Sequence, residues 1–189
     1  HLAEPLVLFQ RENPEVGIDL QLNDRKVDII DEGFDVALRI GQLKDSSLVA
    51  RKLTEIRLAY CASPEYLKKY GEPTSVAELP QHRFLHYSYM EDEQLRQAGI
   101  QRGNQFSCNN GEVLNNAAIA GAGIVMQPTF ISGAALADGR LVEILKQEAP
   151  EPIALYAVYA HRTLLSSKVR AFIDSLSDYF SGVPPWDKS

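Results

Sequence analysis

With 189 residues, 45% apolar and 23% charged, the chain can form one large domain or two small ones around a real core. A net charge of −6 with no Lys/Arg cluster excludes this stretch as a nucleic-acid grip, because phosphate binding draws on grouped cations. No run approaches the roughly 18 to 20 apolar residues of a membrane span, and the first residues lack the regions of a signal peptide, so no membrane contact is expected.

In chain order, His1 to Asn13 is amphipathic, with Leu2, Leu6 and Phe9 on one helical face and Pro14 ending it. Val16, Ile18, Leu20 and Leu22 then alternate with Gly17, Asp19 and Gln21, the period of a half-buried strand. Val27 to Asp31 reads as a short helix stopped by Gly33, and Phe34 to Ile40 as a strand ending at Gly41. Helix, strand, helix, strand implies parallel pairing, and a parallel sheet that opens on a helix reads as lacking its first strand.

After Leu48 to Leu53, a strand is expected over Arg57 to Ala62, followed by a helix at Ser63-Pro64-Glu65 with proline in its first position. Tyr66, Leu67 and Tyr70 supply that helix's apolar side. Gly71 to Thr74 is the linker candidate, and Ser75-Val76-Ala77-Glu78 has the spacing of a capping box. Phe84 to Tyr89 is the next strand and Met90 to Arg102 a polar loop.

Phe106 to Phe130 contains a whole βαβ unit. Phe106-Ser107-Cys108 is β-compatible and Asn109-Asn110 offers an N-cap. Glu112 suits the first turn, Val113, Leu114, Ala117 and Ala118 follow at helical spacing, and Gly121 and Gly123 end the helix. Ile124-Val125-Met126 suits a strand covered on both faces, closed by Pro128. Ser107 to Gly111 would then lie at the carboxyl edge of a parallel strand, with helix-start N–H groups facing a small polar or anionic ligand. The same motif also serves as a capped helix with no ligand.

Gly139 to Val142 turns into a short strand, Ile153 to Tyr159 is strongly strand-like, and Ser166 to Phe180 is the clearest helix, capped by Ser166 or Ser167. The tail Pro184 to Asp187 is too polar and proline-bound to join a core. Cys61 and Cys108 lie in apolar runs without a CxxC spacing, as expected for free thiols in a reducing cytoplasm. His82, His86 and His161 have neither metal-ligand spacing nor an acid partner, and His1 is terminal, so no metal site is expected. G-x-S-x-G, H-E-x-x-H and the phosphate-binding G-x-x-x-x-G-K-[ST] are all missing, which argues against an enzyme.

DVALRIGQLKDSSLVARKL (Asp35 to Leu53), CASPEYLKKYGEP (Cys61 to Pro73), ELPQH up to His82 and NNGEVLNNAAIAGAGIVMQP (Asn109 to Pro128) stand in one order along the chain. With GRLVEIL and SSKVRAFIDSL, they resemble the effector-binding domain of LysR-type transcriptional regulators. The resemblance covers nearly the whole chain. It implies an α/β fold of two Rossmann-like lobes, as in type 2 periplasmic binding proteins, with the first strand of lobe I outside this chain. Residues 1–73 and 161–189 would form lobe I and residues 74–160 lobe II. A winged helix-turn-helix and a linker helix would precede the stretch in the whole protein.

The resemblance also implies a small-molecule effector held in the cleft between the lobes. The matching positions are Arg39, Ile40 and Gly41, then Asn109 and Asn110, then Gln127, Pro128, Thr129 and Phe130, with Tyr87 added as an aromatic near them. Asn110 stands where relatives often carry Asp, and Gln127 where they often carry an apolar residue. Arg39 suits a carboxylate through two parallel N–H bonds, or else a surface ion pair. Tyr87 suits either a ligand or the core.

Expected partners are a second copy or three more copies of the chain, DNA only through the absent winged helix-turn-helix, and RNA polymerase; no cofactor is expected. Leu2 to Asn13 and Glu112 to Ala122 would be the pairing helices of a dimer. The alternative of the same fold is an extracytoplasmic solute-binding protein, which an export signal upstream would reveal.

Overall fold

The structure is a computed structural model that describes residues 1–23, 32–41, 48–90, 106–160 and 165–187. In chain order its elements are α1 (Ala3–Glu12), β1 (Ala37–Gly41), β2 (Leu48–Ile56), β3 (Leu58–Ala62), α2 (Pro64–Tyr70), β4 (Phe84–Tyr87), β5 (Ser107–Cys108), α3 (Gly111–Ile119), β6 (Ile124–Pro128), α4 (Thr129–Ala137), β7 (Val142–Ile144), β8 (Ile153–Ala160) and α5 (Ser167–Tyr179). They form two compact units, His1–Ile56 with Pro152–Ser189, and Arg57–Glu151.

The first unit is built on an antiparallel sheet of order β1-β8-β2. Central β8 buries Ala154, Leu155, Ala157 and Val158. The parallel pairing expected for this region is therefore corrected. A strand from the far end of the sequence lies between β1 and β2, so the local alternation of helix and strand does not decide which strands meet. The ladder between β2 and β8 shifts register between Lys52 and Thr54, a local irregularity that breaks the alternation of the strand.

Helix α5 buries Val169, Ile173 and Leu176, and Ser166 caps it by accepting the Val169 N–H at 3.4 Å. Phe9 of α1 meets Phe172 of α5 edge to face, with ring centroids 5.1 Å apart. The Tyr179 hydroxyl donates to Glu4 at 2.8 Å. The tail is not the loose segment expected: Trp186 packs 5.9 Å from Phe180 and 5.0 Å from His1 between ring centroids.

The strand expected over Val16 to Leu22 does not form. A strand needs a ladder, and the described residues give this run none, leaving Leu20 and Leu22 48% and 79% exposed. The helix expected over Val27 to Asp31 lies outside the described residues.

The second unit has a mixed sheet of order β5-β4-β6-β3-β7. β5, β4 and β6 are parallel, while β3 runs antiparallel to β6 and β7. Both faces are covered. Tyr60, Tyr66, Leu79, Phe84, Ile124 and Ile144 fill one side, and Ala59, Cys61, Leu85, Leu114, Ala118, Val125 and Leu141 the other. Successive residues of β3 alternate between the two clusters, as a pleated strand requires. Burial pushes the Cys61 thiol up to about 12, so it remains protonated and serves as a small apolar filler.

The βαβ unit forms as read, but its strands are not neighbours, because β4 lies between β5 and β6. Gly123 makes this possible. A Cβ there would lie 2.3 Å from the Arg83 carbonyl oxygen, which accepts the Ile124 N–H at 2.8 Å where β6 joins β4.

The units divide at Ile56/Arg57 and Glu151/Pro152, so the boundary expected near Gly71 to Thr74 falls inside the second unit. The glycine and proline there end a helix within one core, since Tyr66 before them and Leu79 after them share a cluster. Ser63 caps α2 through the Tyr66 N–H at 3.2 Å. The expected capping box takes another form: Ser75 makes no side-chain cap, and the Glu78 carboxylate accepts from the Thr74 N–H at 2.8 Å and the Thr74 hydroxyl at 2.9 Å. Those bonds, the backbone one first, hold the Glu78 carboxyl below its ordinary value.

Candidate functional site

The expected site residues divide between the two units. Arg39, Ile40 and Gly41 are in β1, where Arg39 is half-buried opposite Tyr156 and Ile40 is exposed. Gly41 has φ +127°, a conformation few other residues adopt, so the strand ends there for a backbone reason. Its side-chain-free position meets nothing within 4 Å.

The remaining residues gather on one edge of the second unit. Three parallel strands share the direction of their carboxyl ends. Tyr87 therefore ends β4, Asn109-Asn110 follows β5, and Gln127-Pro128 leads out of β6 into Thr129 and Phe130 on the same edge. Two helices start there, α3 after β5 and α4 after β6. Each brings the partial positive charge of a helix amino end. Glu112 offsets it at α3, whereas the first turn of α4 contains no acid.

Two of these polar groups already have structural work. Asn110 caps α3 by accepting the Val113 N–H at 3.0 Å. Gln127 is 2% exposed, and its amide donates to the Gly111 carbonyl oxygen at 3.0 Å, tying the end of β6 to the start of α3. Gly111 also packs closely there: a Cβ would lie 2.6 Å from the end of the Ile131 side chain of α4, which would have to swing aside. The edge is thus a rigid junction of a strand and two helix starts.

Thr129 differs from its neighbours. It is 1% exposed, its N–H donates to the Arg57 carbonyl at 2.9 Å, and its buried hydroxyl oxygen has no hydrogen-bond partner among the described residues. The Asn115 side-chain oxygen, one helical turn along α3 from Gly111, is buried and unpartnered in the same way. Leaving a buried polar atom unsatisfied costs about 1–3 kcal/mol. A polar ligand or an ordered water restores such bonds where the protein itself does not supply them.

The sequence reading passed over Asn115, Ser88 and the contacts that Ser88 makes beside Tyr87. The Ser107 hydroxyl lies 3.0 Å from that of Ser88 and 3.3 Å from Nδ1 of His86, joining the ends of β4 and β5. Two serines at the ends of neighbouring strands were the available signal, hidden because residues 91–105 separate them in sequence. His82, expected in a structural role, bonds the Tyr66 hydroxyl at 3.2 Å; His161 lies outside the described residues. Among the described residues no three His, Cys, Asp or Glu side chains are grouped to hold a metal ion, and no helix is long and apolar enough to cross a membrane.

Residues 1–181 match the family described as the LysR substrate binding domain. An HTH-type transcriptional regulator of Haemophilus influenzae is 36% identical over 177 residues, covering 89% of this chain and 61% of the relative. The regulatory domain of CrgA, a LysR-type transcriptional regulator from Neisseria meningitidis, superposes with a TM-score of 0.79 at 29% identity, over 94% of this chain and 90% of that one. Full-length AphB, a Vibrio cholerae virulence activator, gives a TM-score of 0.75 at 29% identity, over 94% of this chain and 62% of AphB. The fold is therefore that of a LysR regulatory domain, the two-lobed α/β type expected from sequence. The chain spans 61%, 58% and 54% of the lengths of three such regulators.

Proposed function

Since the chain belongs to the LysR substrate binding domain family, we propose that it is the effector-sensing part of a cytoplasmic DNA-binding transcriptional regulator and has no enzymatic activity of its own. The observation that carries this reading is the carboxyl edge of β5-β4-β6, where two helices start and the unsatisfied Thr129 hydroxyl lies in the first turn of one of them. A small polar or anionic molecule suits that edge. The ligand acts by favouring one conformation over another, which requires different affinities for the two.

DNA is reached through a helix-turn-helix outside this chain, and RNA polymerase is a further partner of the whole regulator. The chain works as a homodimer or homotetramer. In support, α1 exposes Val7 and Leu8, and α3 exposes Val113.

Thr129→Val tests the reading, because it removes the hydroxyl and preserves the shape. Native mass spectrometry of protein purified from its own host should show a bound small molecule on the wild type and a loss of about tenfold or more in occupancy on the variant, the value of one hydrogen bond to a charged group. Thermal stability should hold or rise, since an unsatisfied polar atom has gone. A bound mass that Thr129→Val leaves unchanged removes this edge from the effector site.

A further inference from the structure

A cavity of about 290 Å³ opens in the first unit, against α5 and the ends of β2 and β8. Its wall is made by Arg51, Tyr159, Leu165, Arg170, Ile173 and Asp174. The antiparallel register pairs Val49 with Tyr159 and Arg51 with Ala157, which puts Arg51 and Tyr159 on one face of the sheet. Arg170, Ile173 and Asp174 lie three and four residues apart on α5, and therefore on one face of the helix.

The chemistry of the wall is divided. Arg51 is committed, pairing with Asp174 and donating to the Ser177 hydroxyl at 3.0 Å. The Arg170 side chain makes no hydrogen bond or ion pair among the described residues, and the Tyr159 hydroxyl makes no hydrogen bond among them. Two guanidiniums face a single carboxylate, so the wall is positive by one charge. The amino end of α5 adds to that charge: its first turn contains no acid, and Lys168 beside it lies 3.9 Å from exposed Asp35. Buried Ile173 and half-buried Leu165 give the cavity an apolar side.

We propose that this cavity is a second small-molecule site, independent of the edge around Thr129, that takes a small monocarboxylate with an apolar body. The carboxylate is held by Arg170 and the Tyr159 hydroxyl, while the carbon skeleton covers Leu165 and Ile173. Guanidinium and phenol together supply the donors a carboxylate accepts. The volume is close to the lower end of ligand pockets, which start near ~300 Å³, and so limits the occupant to about the size of a single ring with a short side chain.

The test is a titration of the chain with phenylacetate, followed by backbone amide chemical shifts. Saturable binding with shifts over Leu165 to Asp174 and at Tyr159 is expected. Arg170→Gln, at an exposed position that the fold does not depend on, should weaken it by about tenfold or more, as the loss of a charged hydrogen bond does. Tyr159→Phe should weaken it severalfold, Asp174→Asn should strengthen it, and Thr129→Val should leave it unchanged. The neutral 2-phenylacetamide should not bind.

The proposal is overturned if phenylacetate does not saturate at millimolar concentrations, if the shifts fall on Asn109 to Val113 instead, or if Arg170→Gln binds as the wild type does. Inorganic phosphate binding as tightly as phenylacetate overturns the apolar half of the assignment.

Discussion

The two units solve the problem of placing polar groups in different ways. In the first, all strand pairing among the described residues is antiparallel, so strand ends alternate in direction and the described helix starts are not collected on one edge. Its polar chemistry comes from long side chains, such as Arg51 on β2 and Arg170 on α5. In the second, three parallel strands place the starts of α3 and α4 on one edge, and the polar groups there are short and anchored by backbone. A parallel sheet builds a rigid receptor from backbone geometry, whereas an antiparallel one has to extend side chains into solvent.

The sharpest way to break this contrast is at Gly123. Gly123→Ala drives a Cβ into the Arg83 backbone where β4 and β6 pair, and should cost about 3 kcal/mol or more. Gly17→Ala in the first unit, where nothing lies within 4 Å, should change stability by less than about 1 kcal/mol. Urea unfolding of both variants measures the difference, and equal midpoints would mean the parallel junction does not depend on close approach.

A smaller effect separates the two capped helices. Asn110→Ala and Ser166→Ala each remove a side-chain cap and should each lower stability by about 1 kcal/mol. Only the first should also weaken the effector response of the whole regulator in a reporter assay. If Ser166→Ala weakens it equally, the edge of the second unit loses its special position.

Smallest is Arg51→Gln. Its pairing with Asp174 is between side chains 42% and 52% exposed, so thermal unfolding should show a loss below about 1 kcal/mol that fades at high salt. A larger loss would mean that long side chains hold the first unit as firmly as backbone junctions hold the second.

What could be read from the sequence was local. Asn110 and Ser166 as caps, Gly121 as the end of α3 and the burial of Ile124-Val125 each depend on a few adjacent residues, and each was legible. Strand order was not, because β4 enters between β5 and β6, and β8 between β1 and β2, through pairings far apart in sequence. Helix α4 also went unread: it follows β6 without a loop, starts after a proline that makes no side-chain cap, and contains Gly133. The alternation at Val16 to Leu22 was a real pattern with no strand to pair with among the described residues. The resemblance named Asn109, Asn110, Gln127, Pro128, Thr129 and Phe130, and the structure gathers them on one edge with Tyr87. The unsatisfied oxygens of Thr129 and Asn115 were not legible, because burial without a partner is a property of packing.

The packing of Trp186 against Phe180 gives the molecule a built-in optical label. It is the sole tryptophan of the chain and belongs to the first unit, so indole emission follows that unit's melting alone. Far-ultraviolet dichroism, by contrast, averages over both. Any gap between the two melting curves would measure how far the units come apart as separate cooperative bodies.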